Sequence, residues 1–418
     1  MDIDDLARLE SGVRGFMSLG IRRDFSAVPV LMFHSIGITG IPWAWAHLSE
    51  ELELFEGILA GLANDGYQSV SLDDLYEHMS ESKPLPDRPV VLTFDDGYLD
   101  NWVYAVPLLR KYGMRATVYV TPEFVPESGK VRKPPDGAGN GLNAEAVGFM
   151  NWAELRAADT EGVLDVQSHA LTHTWYFSGP KIVDIHRPAK IYQYPWMSWN
   201  VDPPRKPYYL TENQQRAVPW GHPVLEHEKS LMVRRFTPDQ GFIEDFCTFV
   251  KNEGGEEFFE RDDWKGILSR QFPVLHDGKG LTGRTESEEQ YAARVSKELA
   301  RSKEIIESQL AKKVEFLAWP GGGVNEVAAN LARSAGYKSW TLSSWQQPGK
   351  RNTPGSDPEG IKRITGCGNV YFRDRCIADG GSSWVLRRLH SHQGSLGSKM
   401  MAGATKLKWL ALGQQQSR

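Results

Sequence analysis

Residues 90–97 read Val-Val-Leu-Thr-Phe-Asp-Asp-Gly, an apolar, β-branched run that ends in two adjacent acids and a glycine. This pattern predicts a buried strand with carboxylates at its C-terminal end. Two buried carboxylates side by side are costly unless a cation or a proton lies between them. Because adjacent strand residues point to opposite sides, Asp95 and Asp96 can divide two roles, with one facing a metal ion and the other facing water or substrate.

A second motif, His-Ala-Leu-Thr-His at residues 169–173, follows the strand-like residues 162–166. Histidines four positions apart share one face of a helical turn, so we expect both imidazoles to reach one ion. With one of the two carboxylates they make three protein ligands and leave coordination positions open for water and substrate. Such a set is typical of catalytic rather than structural metal sites.

These two motifs resemble those of the polysaccharide deacetylases, the NodB-like carbohydrate esterases of family 4. Residues 93–97 match the family's TFDDG, and residues 169–173 match its H-[ST]-x-x-H, with Ala170 at a position that is not a ligand. Residues 316–322 (FLAWPGG) resemble its F-A-Y-P-[YF]-G block, except that Gly321 stands where an aromatic residue is usual. The resemblance covers roughly residues 28–175 and 290–345. It implies an α/β fold, a distorted (β/α) barrel of seven strands, which also agrees with strands that alternate with helices along the chain.

The resemblance also implies a metal-dependent N-deacetylase. Asp96, His169 and His173 would hold the ion, which we expect to be Zn²⁺, although Co²⁺, Ni²⁺ or Fe²⁺ fit the same ligands. Asp95 would act as the general base that takes the proton of the attacking water.

Three further residues are expected to contact the substrate. A backbone amide needs no particular side chain to stabilise a developing oxyanion, so Gly321 can serve although it lacks the usual aromatic ring. Tyr98 is a second candidate donor in the loop after the acids, and Pro320 belongs to the same block as Gly321.

The general acid is expected to be His34, which lies near the C-terminal end of the apolar, strand-like residues 28–36. Relatives that act on poly-N-acetylglucosamine-type polymers have a Y-H or F-H strand at this place. The alternative donors are His390 and His392 in a late, charged run, since other relatives take the acid from a late strand. A histidine that only forms structural hydrogen bonds at the barrel mouth is the other interpretation of His34.

Composition bounds the class of protein. The chain has 418 residues, of which 40% are hydrophobic and 24% charged, and its net charge is −5, as expected of a globular protein. It has no basic block and no alternation of aromatic and basic residues, so nucleic acid is not an expected partner. Its three cysteines, Cys247, Cys367 and Cys376, form neither a disulfide framework nor a zinc ligand pattern.

The expected domain organisation has four parts. A peripheral segment at residues 1–27 precedes the barrel, which takes residues 28–173 and 292–395, and residues 396–418 form a tail. Residues 174–291 would be a large insertion between the second and third motifs, rich in aromatic residues and proline in its first half. Aromatic faces stack on pyranose rings, so the insertion is either a sugar platform or a local core or oligomer contact.

The N-terminus opens acidic and has no continuous apolar run before Arg22, and no stretch approaches the roughly 20 apolar residues of a spanning helix. These features predict a cytoplasmic enzyme that acts on an N-acetylated sugar, glycan or glycan precursor, in surface polysaccharide biosynthesis. Two other classes remain open. One is a hydrolase of another C–N bond, such as a deformylase or a cyclic imide amidase, and the other is a glycan-binding relative without catalysis.

Overall fold

The computed structural model describes residues 23–127, 129–133, 144–277, 280–342, 346, 349–372, 375–395, 398–400 and 403. Most of the peripheral segment expected at residues 1–27 and most of the tail expected at residues 396–418 lie outside the described residues.

Seven parallel strands form a barrel in the described part of the chain. They are β1 (Val30–Phe33), β2 (Pro89–Phe94), β3 (Ala116–Val120), β4 (Leu164–Ser168), β5 (Phe316–Ala318), β6 (Ser339–Leu342) and β7, which consists of Gly360–Lys362 and Ile364–Thr365. Each strand pairs with the next in sequence, and β7 pairs with both β6 and β1. The seven-stranded barrel expected from the sequence is therefore confirmed.

The barrel closes at Arg363, which lies between the two pieces of β7. Before it, Lys362 is the register partner of Leu342 on β6, and after it Ile364 is the partner of Leu31 on β1. The Arg363 side chain is buried. The strand therefore changes neighbours at a residue whose charged head lies inside the molecule.

Helices surround the strands and bury their apolar stripes against them. The sequence predicts helices over residues 52–64, 101–112 and 288–310. The first is found there, with Phe55, Ile58, Leu59 and Leu62 buried at three- and four-residue spacing. The α-helices are Leu52–Asn64, Leu72–Glu81, Val106–Lys111, Trp152–Glu161, Pro195–Val201, Gln240–Asn252, Trp264–Gln271, Val274–Asp277, Glu288–Leu310, Glu326–Ser334 and Gly381–His392. The second differs from expectation, because it starts with a π-helical turn, Asn101–Ala105.

The segment between β4 and the helix Glu288–Leu310 is built on two antiparallel pairs. Strand Trp175–Ile185 pairs with Pro223–Lys229, and Phe236–Pro238 pairs with Gly283–Thr285. Its aromatic residues join Tyr98, Phe124 and Phe149 of the barrel loops in one buried cluster. The division of the chain into domains stays a prediction.

Three short pairings complete the sheet structure. Ser35–Ile36 pairs with Ser49–Glu50, Gln68–Ser69 pairs with the start of β2, and Asn369–Phe372 pairs with Arg375–Asp379. Within the described ranges, no helix combines the length and the apolarity that crossing a membrane requires.

Candidate active site

The candidate site lies at the C-terminal ends of the barrel strands, where parallel strands deliver their loops to one rim. His34 follows β1, Asp95 and Asp96 follow β2, and His169 follows β4. The strands are adjacent or nearly so in the barrel, so residues far apart in sequence meet within one cavity.

The two acids diverge because the backbone turns sharply between them. Asp95 N–H still donates to the Phe33 carbonyl of β1 at 3.0 Å, whereas Asp96 and Gly97 both have left-handed φ angles, 71° and 76°. A side chain at Gly97 would be strained by that φ angle, and its Cβ would lie 3.0 Å from Val120 Cγ1. The motif's glycine is thus needed to direct Asp96 away from Asp95.

The helical turn expected for residues 169–173 is wrong. The histidines lie in an irregular loop in which Ala170 and His173 have left-handed φ angles of 58° and 42°. Two hydrogen bonds fix the loop. Ala170 N–H donates to Ser168 Oγ at 3.1 Å, and the Thr172 hydroxyl donates to the buried Glu298 carboxylate at 2.7 Å. These tertiary contacts bring both imidazoles to the same point without helical geometry.

Asp96, His169 and His173 converge as the sequence predicted. One ligand atom from each lies within 4.8 Å of the others, and the Nε2 atoms of both histidines are 3.3 Å from Asp96 Oδ1. His169 Nδ1 lies 2.8 Å from the Ala318 carbonyl, so an Nδ1–H donates there and turns Nε2 towards the carboxylate. Burial lowers the pKa of His169, but the hydrogen bond to Asp96 and the charges of Asp95 and Asp96 outweigh it, and this pKa lies above its usual value. Burial lowers the pKa of His173 to about 4, which favours its neutral, ligand form. Asp96 Oδ1 is buried and has no hydrogen-bond donor among the described residues.

These donors fit a divalent cation. The carboxylate and the two imidazole nitrogens converge on one point where Asp96 Oδ1 is buried, so the cluster attracts positive charge, supplied by a proton on His169 or by a metal ion. Two imidazoles and one carboxylate suit Zn²⁺ and its neighbours in the first transition row.

Asp95 is not one of the three convergent residues and forms a buried ion pair with Arg363. The guanidinium reaches both carboxylate oxygens, at 2.6 Å and 2.8 Å. Burial raises the pKa of Asp95, but the charge and hydrogen bonds of Arg363 together with the nearby His169 and His34 outweigh burial, and the pKa lies below its usual value. The carboxylate is thereby kept ionised beside the metal ligands.

His34 is the histidine that the structure places in the cavity with these groups. Its Nε2 is 3.8 Å from Asp95 Oδ2, and its side chain keeps 16% of its surface exposed. Burial lowers the pKa of His34, while Asp95 and Asp96 act in the opposite direction. His390 instead lies 3.1 Å from Asp65 and stacks on Tyr67, and neither it nor His392 lines the cavity.

The cavity has a volume of about 220 Å³ and is walled largely by aromatic rings. Tyr98 and Gly321 line it, whereas Pro320 is buried and does not. Gly321 has a φ of 57°, a left-handed conformation that strains the aromatic residue usual in the family motif. The departure at Gly321 therefore has a backbone reason.

The aromatic wall comes from five parts of the chain, two of which supply Tyr98 after β2 and Trp319 after β5. Trp45 follows β1, Phe124 follows β3, and Trp175, Trp199 and Tyr209 come from the segment after β4. Trp45 and Trp175 stack with ring centroids 5.5 Å apart. The residues of this segment pack with one another and also line the cavity, and their role as a sugar platform stays a prediction.

Several polar atoms of the lining lack partners among the described residues. The indole N–H groups of Trp199 and Trp319 and the hydroxyl of Thr341 are buried and unpaired. Buried donors are normally satisfied by protein, water or ligand. The cavity therefore suits a ligand that presents both polar atoms and apolar faces.

Arg363 is the residue that sequence reasoning missed. The sequence does indicate a strand around it, since Ile361 and Ile364 flank Lys362 and Arg363. A lone arginine in a strand is usually exposed, and nothing in the sequence places it opposite Asp95.

Comparison with known proteins places these motifs in context. A model of the polysaccharide deacetylase family matches residues 82–213 and 281–340. YxkH of Bacillus subtilis (strain 168), which is named as a polysaccharide deacetylase, is 34% identical to this chain over 93 residues. The aligned residues cover 22% of this chain and 31% of YxkH. The poly-beta-1,6-N-acetyl-D-glucosamine N-deacetylase of Escherichia coli (strain K12) is 31% identical over 119 residues, covering 28% of this chain and 16% of that protein. The chain thus aligns with less than a third of the length of either relative.

A solved structure with a similar arrangement is the deacetylase domain of BpsB from Bordetella bronchiseptica. It has a TM-score of 0.48 and 19% identity, with coverage of 83% of this chain and 98% of that domain.

Proposed function

This chain belongs to the polysaccharide deacetylase family, and we propose that it is a metal-dependent hydrolase that removes N-acetyl groups from an aminosugar-containing glycan or its precursor. The observation that carries the proposal is the pairing of two separate units in one cavity. One unit is the convergent cluster of Asp96, His169 and His173, and the other is the ionised Asp95 held by Arg363. A hydrolytic metal site needs both a place for the ion and a base that is not consumed as a ligand.

The metal would be held by Asp96, His169 and His173, and we propose Zn²⁺, with Co²⁺, Ni²⁺ or Fe²⁺ as alternatives. When bound, such an ion supplies Lewis-acid activation of water and of the amide carbonyl. The Ala318 carbonyl fixes the His169 ring, so this ligand is oriented before any ion arrives.

Asp95 would accept the proton of the attacking water. Its two bonds to Arg363 fix the carboxylate plane and keep it ionised, and both side chains are nearly inaccessible to solvent, with 4% and 6% exposed. Because bulk solvent has little access to this ion pair, water does not compete for the hydrogen bonds that align the Asp95 carboxylate.

His34 would donate a proton to the leaving amine, since an unprotonated amide nitrogen is a poor leaving group. Its pKa lies below the usual value because of burial, so its protonated form is a stronger acid than a free imidazolium. Its place beside Asp95 puts acid and base on the same side of the cavity. The backbone at Tyr98 and Gly321 would face the developing oxyanion.

The aromatic wall would bind the apolar face of the sugar. Trp45 and Trp175 offer stacked indole surface for this contact. A role in surface polysaccharide biosynthesis and a cytoplasmic location are further parts of the proposal, to be tested by gene deletion with polymer analysis and by cell fractionation.

The test combines metal analysis with product release. The purified protein is assayed for bound metal and then for acetate, formate and ammonia released from a panel of N-acetylated, N-formylated and cyclic imide substrates. Asp95→Asn is expected to abolish turnover while retaining the metal, and His169→Ala is expected to lose the metal.

The outcomes separate the alternatives. Formate or ammonia as the main product would assign the site to another C–N bond, and no turnover with retained glycan binding would make the chain a binding protein. Equal loss of metal in Asp95→Asn and His169→Ala would refute the division of roles between the acids.

A further inference from the structure

Beneath the cavity, Asp100 belongs to a buried polar network that the proposed chemistry does not use. Ser35 Oγ lies 2.6 Å from Asp100 Oδ2, and Ile36 N–H and Asn101 Nδ2 donate to Asp100 Oδ1 at 3.0 Å and 2.8 Å. The chain continues from Ser35 Oγ to Ser49 Oγ at 2.9 Å, and the Ser49 hydroxyl donates to the Ile38 carbonyl. Asp100 is 2% exposed.

The number of hydrogens in this chain decides the state of the carboxyl group. If Asp100 is ionised, the Ser35 proton must point to it and the Ser49 proton to the Ile38 carbonyl. Two lone pairs would then face each other across the 2.9 Å between the hydroxyl oxygens. If Asp100 is protonated, it donates to Ser35, Ser35 donates to Ser49, and Ser49 donates to the carbonyl. Every hydrogen-bond donor in the chain is then satisfied.

The electrostatic surroundings agree with the protonated form. Burial raises the pKa of Asp100 to about 8, and the hydrogen bonds from Ser35, Ile36 and Asn101 only partly oppose this effect. The groups that contact it from the strands Ser35–Ile36 and Ser49–Glu50 are neutral. The titratable neighbour of Asp100 is Tyr104, whose pKa is raised by burial and by the nearby Asp100. No cation among the described residues forms a hydrogen bond with Asp100.

The network fixes the backbone of the residues after β1, where His34 lies. The Asn101 amide donates to the His34 carbonyl at 2.8 Å, and Asp100 receives the N–H of Ile36, two residues further on. Asp100 and Asn101 enter the π-helical turn that follows Asp95 and Asp96 in sequence. π-Helical turns are rare and often occur at functional sites. One short stretch of chain thus carries the base and the metal-binding acid and also fixes the backbone of the proposed acid.

We propose that Asp100 is a neutral carboxylic acid that positions His34 for proton donation to the leaving amine. This inference rests on the proposed role of His34 in the deacetylation reaction. Asp100 is a positioning residue, because its contacts are to the backbone and hydroxyl groups around His34 and not to the cavity.

The first experiment compares two substrates with different need for an acid. An N-acetylated sugar releases a basic amine that must be protonated, whereas 4-nitrophenyl acetate releases a stable anion that needs no proton. His34→Ala is expected to lower amide hydrolysis by roughly 10²- to 10⁴-fold while changing ester hydrolysis little. Asp100→Ala should be selective in the same direction, since it frees the backbone on both sides of Ser35.

Asp100→Asn is the decisive variant. Its amide oxygen can accept the bonds that Oδ1 accepts, and its NH₂ group can donate to Ser35 as the protonated carboxyl does. Both activities should therefore stay within about threefold of the unaltered protein, a small change on the scale of 1.4 kcal/mol per tenfold. Asp87→Asn, which removes an exposed carboxylate, is the matched control.

Each outcome bears on a different part of the argument. If His34→Ala lowers both activities equally, the acid role of His34 is refuted. If His34→Ala is selective but Asp100→Ala is not, the positioning role is refuted. If Asp100→Asn is as impaired as Asp100→Ala, the carboxyl group is not neutral. Should Asp100→Ala fail to fold, Ser35→Ala removes the acceptor of its proton and is expected to show a smaller selective loss.

Stability against pH gives an independent measurement. A carboxyl whose pKa is raised in the folded state stabilises the fold fully below its unfolded pKa, and this contribution is lost as the pH rises through the folded value. The thermal midpoint of the unaltered protein should therefore fall relative to Asp100→Asn as the pH rises from 4 to 8. A constant difference over this range would overturn the neutral assignment.

Discussion

Removing the guanidinium of Arg363 should destabilise the fold and also inactivate the enzyme. Both effects are expected because Asp95 would lose its buried partner. The pair has two charge-assisted hydrogen bonds of 2.6 Å and 2.8 Å, and both side chains are almost wholly buried. Deleting one partner of such a pair leaves an unpaired buried charge and costs about 3–5 kcal/mol. Arg363→Met is therefore expected to lower the free energy of unfolding by that amount in urea denaturation.

The same substitution should suppress activity because the pKa of Asp95 rises when its cation is removed. Each unit of upward shift costs about 1.4 kcal/mol in the free energy of the ionised form, or tenfold in the fraction of active base once that pKa exceeds the assay pH. Metal content should persist, since Arg363 contacts none of the three proposed ligands by hydrogen bond. Arg363→Lys keeps the charge but not the two-pronged geometry, so its effect should be intermediate.

A surface pair supplies the matched control. Arg333 bonds to Glu359 with similar geometry, 2.7 Å and 2.8 Å, but the two side chains are 46% and 35% exposed. Arg333→Met should cost roughly 0–1 kcal/mol. The double variant Asp95→Asn/Arg363→Met should be less destabilised than the sum of its single variants. Strict additivity, or a cost for Arg363→Met no larger than for Arg333→Met, would refute this reasoning.

Three further outcomes are expected. His390→Gln should leave deacetylation within about twofold, because this histidine pairs with Asp65 away from the cavity; a loss as large as that of a His34 variant would reassign the acid. Gly97→Ala should cost about 1–2 kcal/mol through its left-handed φ of 76° and should weaken metal binding in a metal titration; unchanged affinity would show that the turn does not position Asp96. Trp45→Ala should raise KM by up to about tenfold with little change in kcat, since a lost aromatic stack is worth about 0.5–1.5 kcal/mol; an unchanged KM would remove this ring from the sugar platform.

The sequence predicted the elements whose signal is local. The apolar run before Asp95 and Asp96 defined β2, and regular spacing of apolar residues defined the helices Leu52–Asn64 and Glu288–Leu310 with the bounds that the structure has. The resemblance to a family extended this to the seven-stranded barrel. It also brought together the candidate ligand set, which the structure then placed at one point.

One error arose where long-range contacts override local pattern. The helical turn expected at residues 169–173 is a loop, because Glu298, more than a hundred residues away in sequence, binds Thr172 and stabilises left-handed backbone angles there. Pro320 lies outside the cavity lining, and its contact with the substrate stays a prediction.

By itself, the sequence determined the chemistry available at the ends of the strands, because side-chain type and spacing are local properties. Only the tertiary structure decided which group faces which. Arg363 reaches Asp95 because barrel closure places β7 beside β1, and Asp100 reaches Ser35 because two rim loops meet there. Ion pairing, burial and hydrogen-bond count depend on distances between residues far apart in the chain. Those distances set the protonation state of each acid, and hence whether it serves as base, ligand or neutral support.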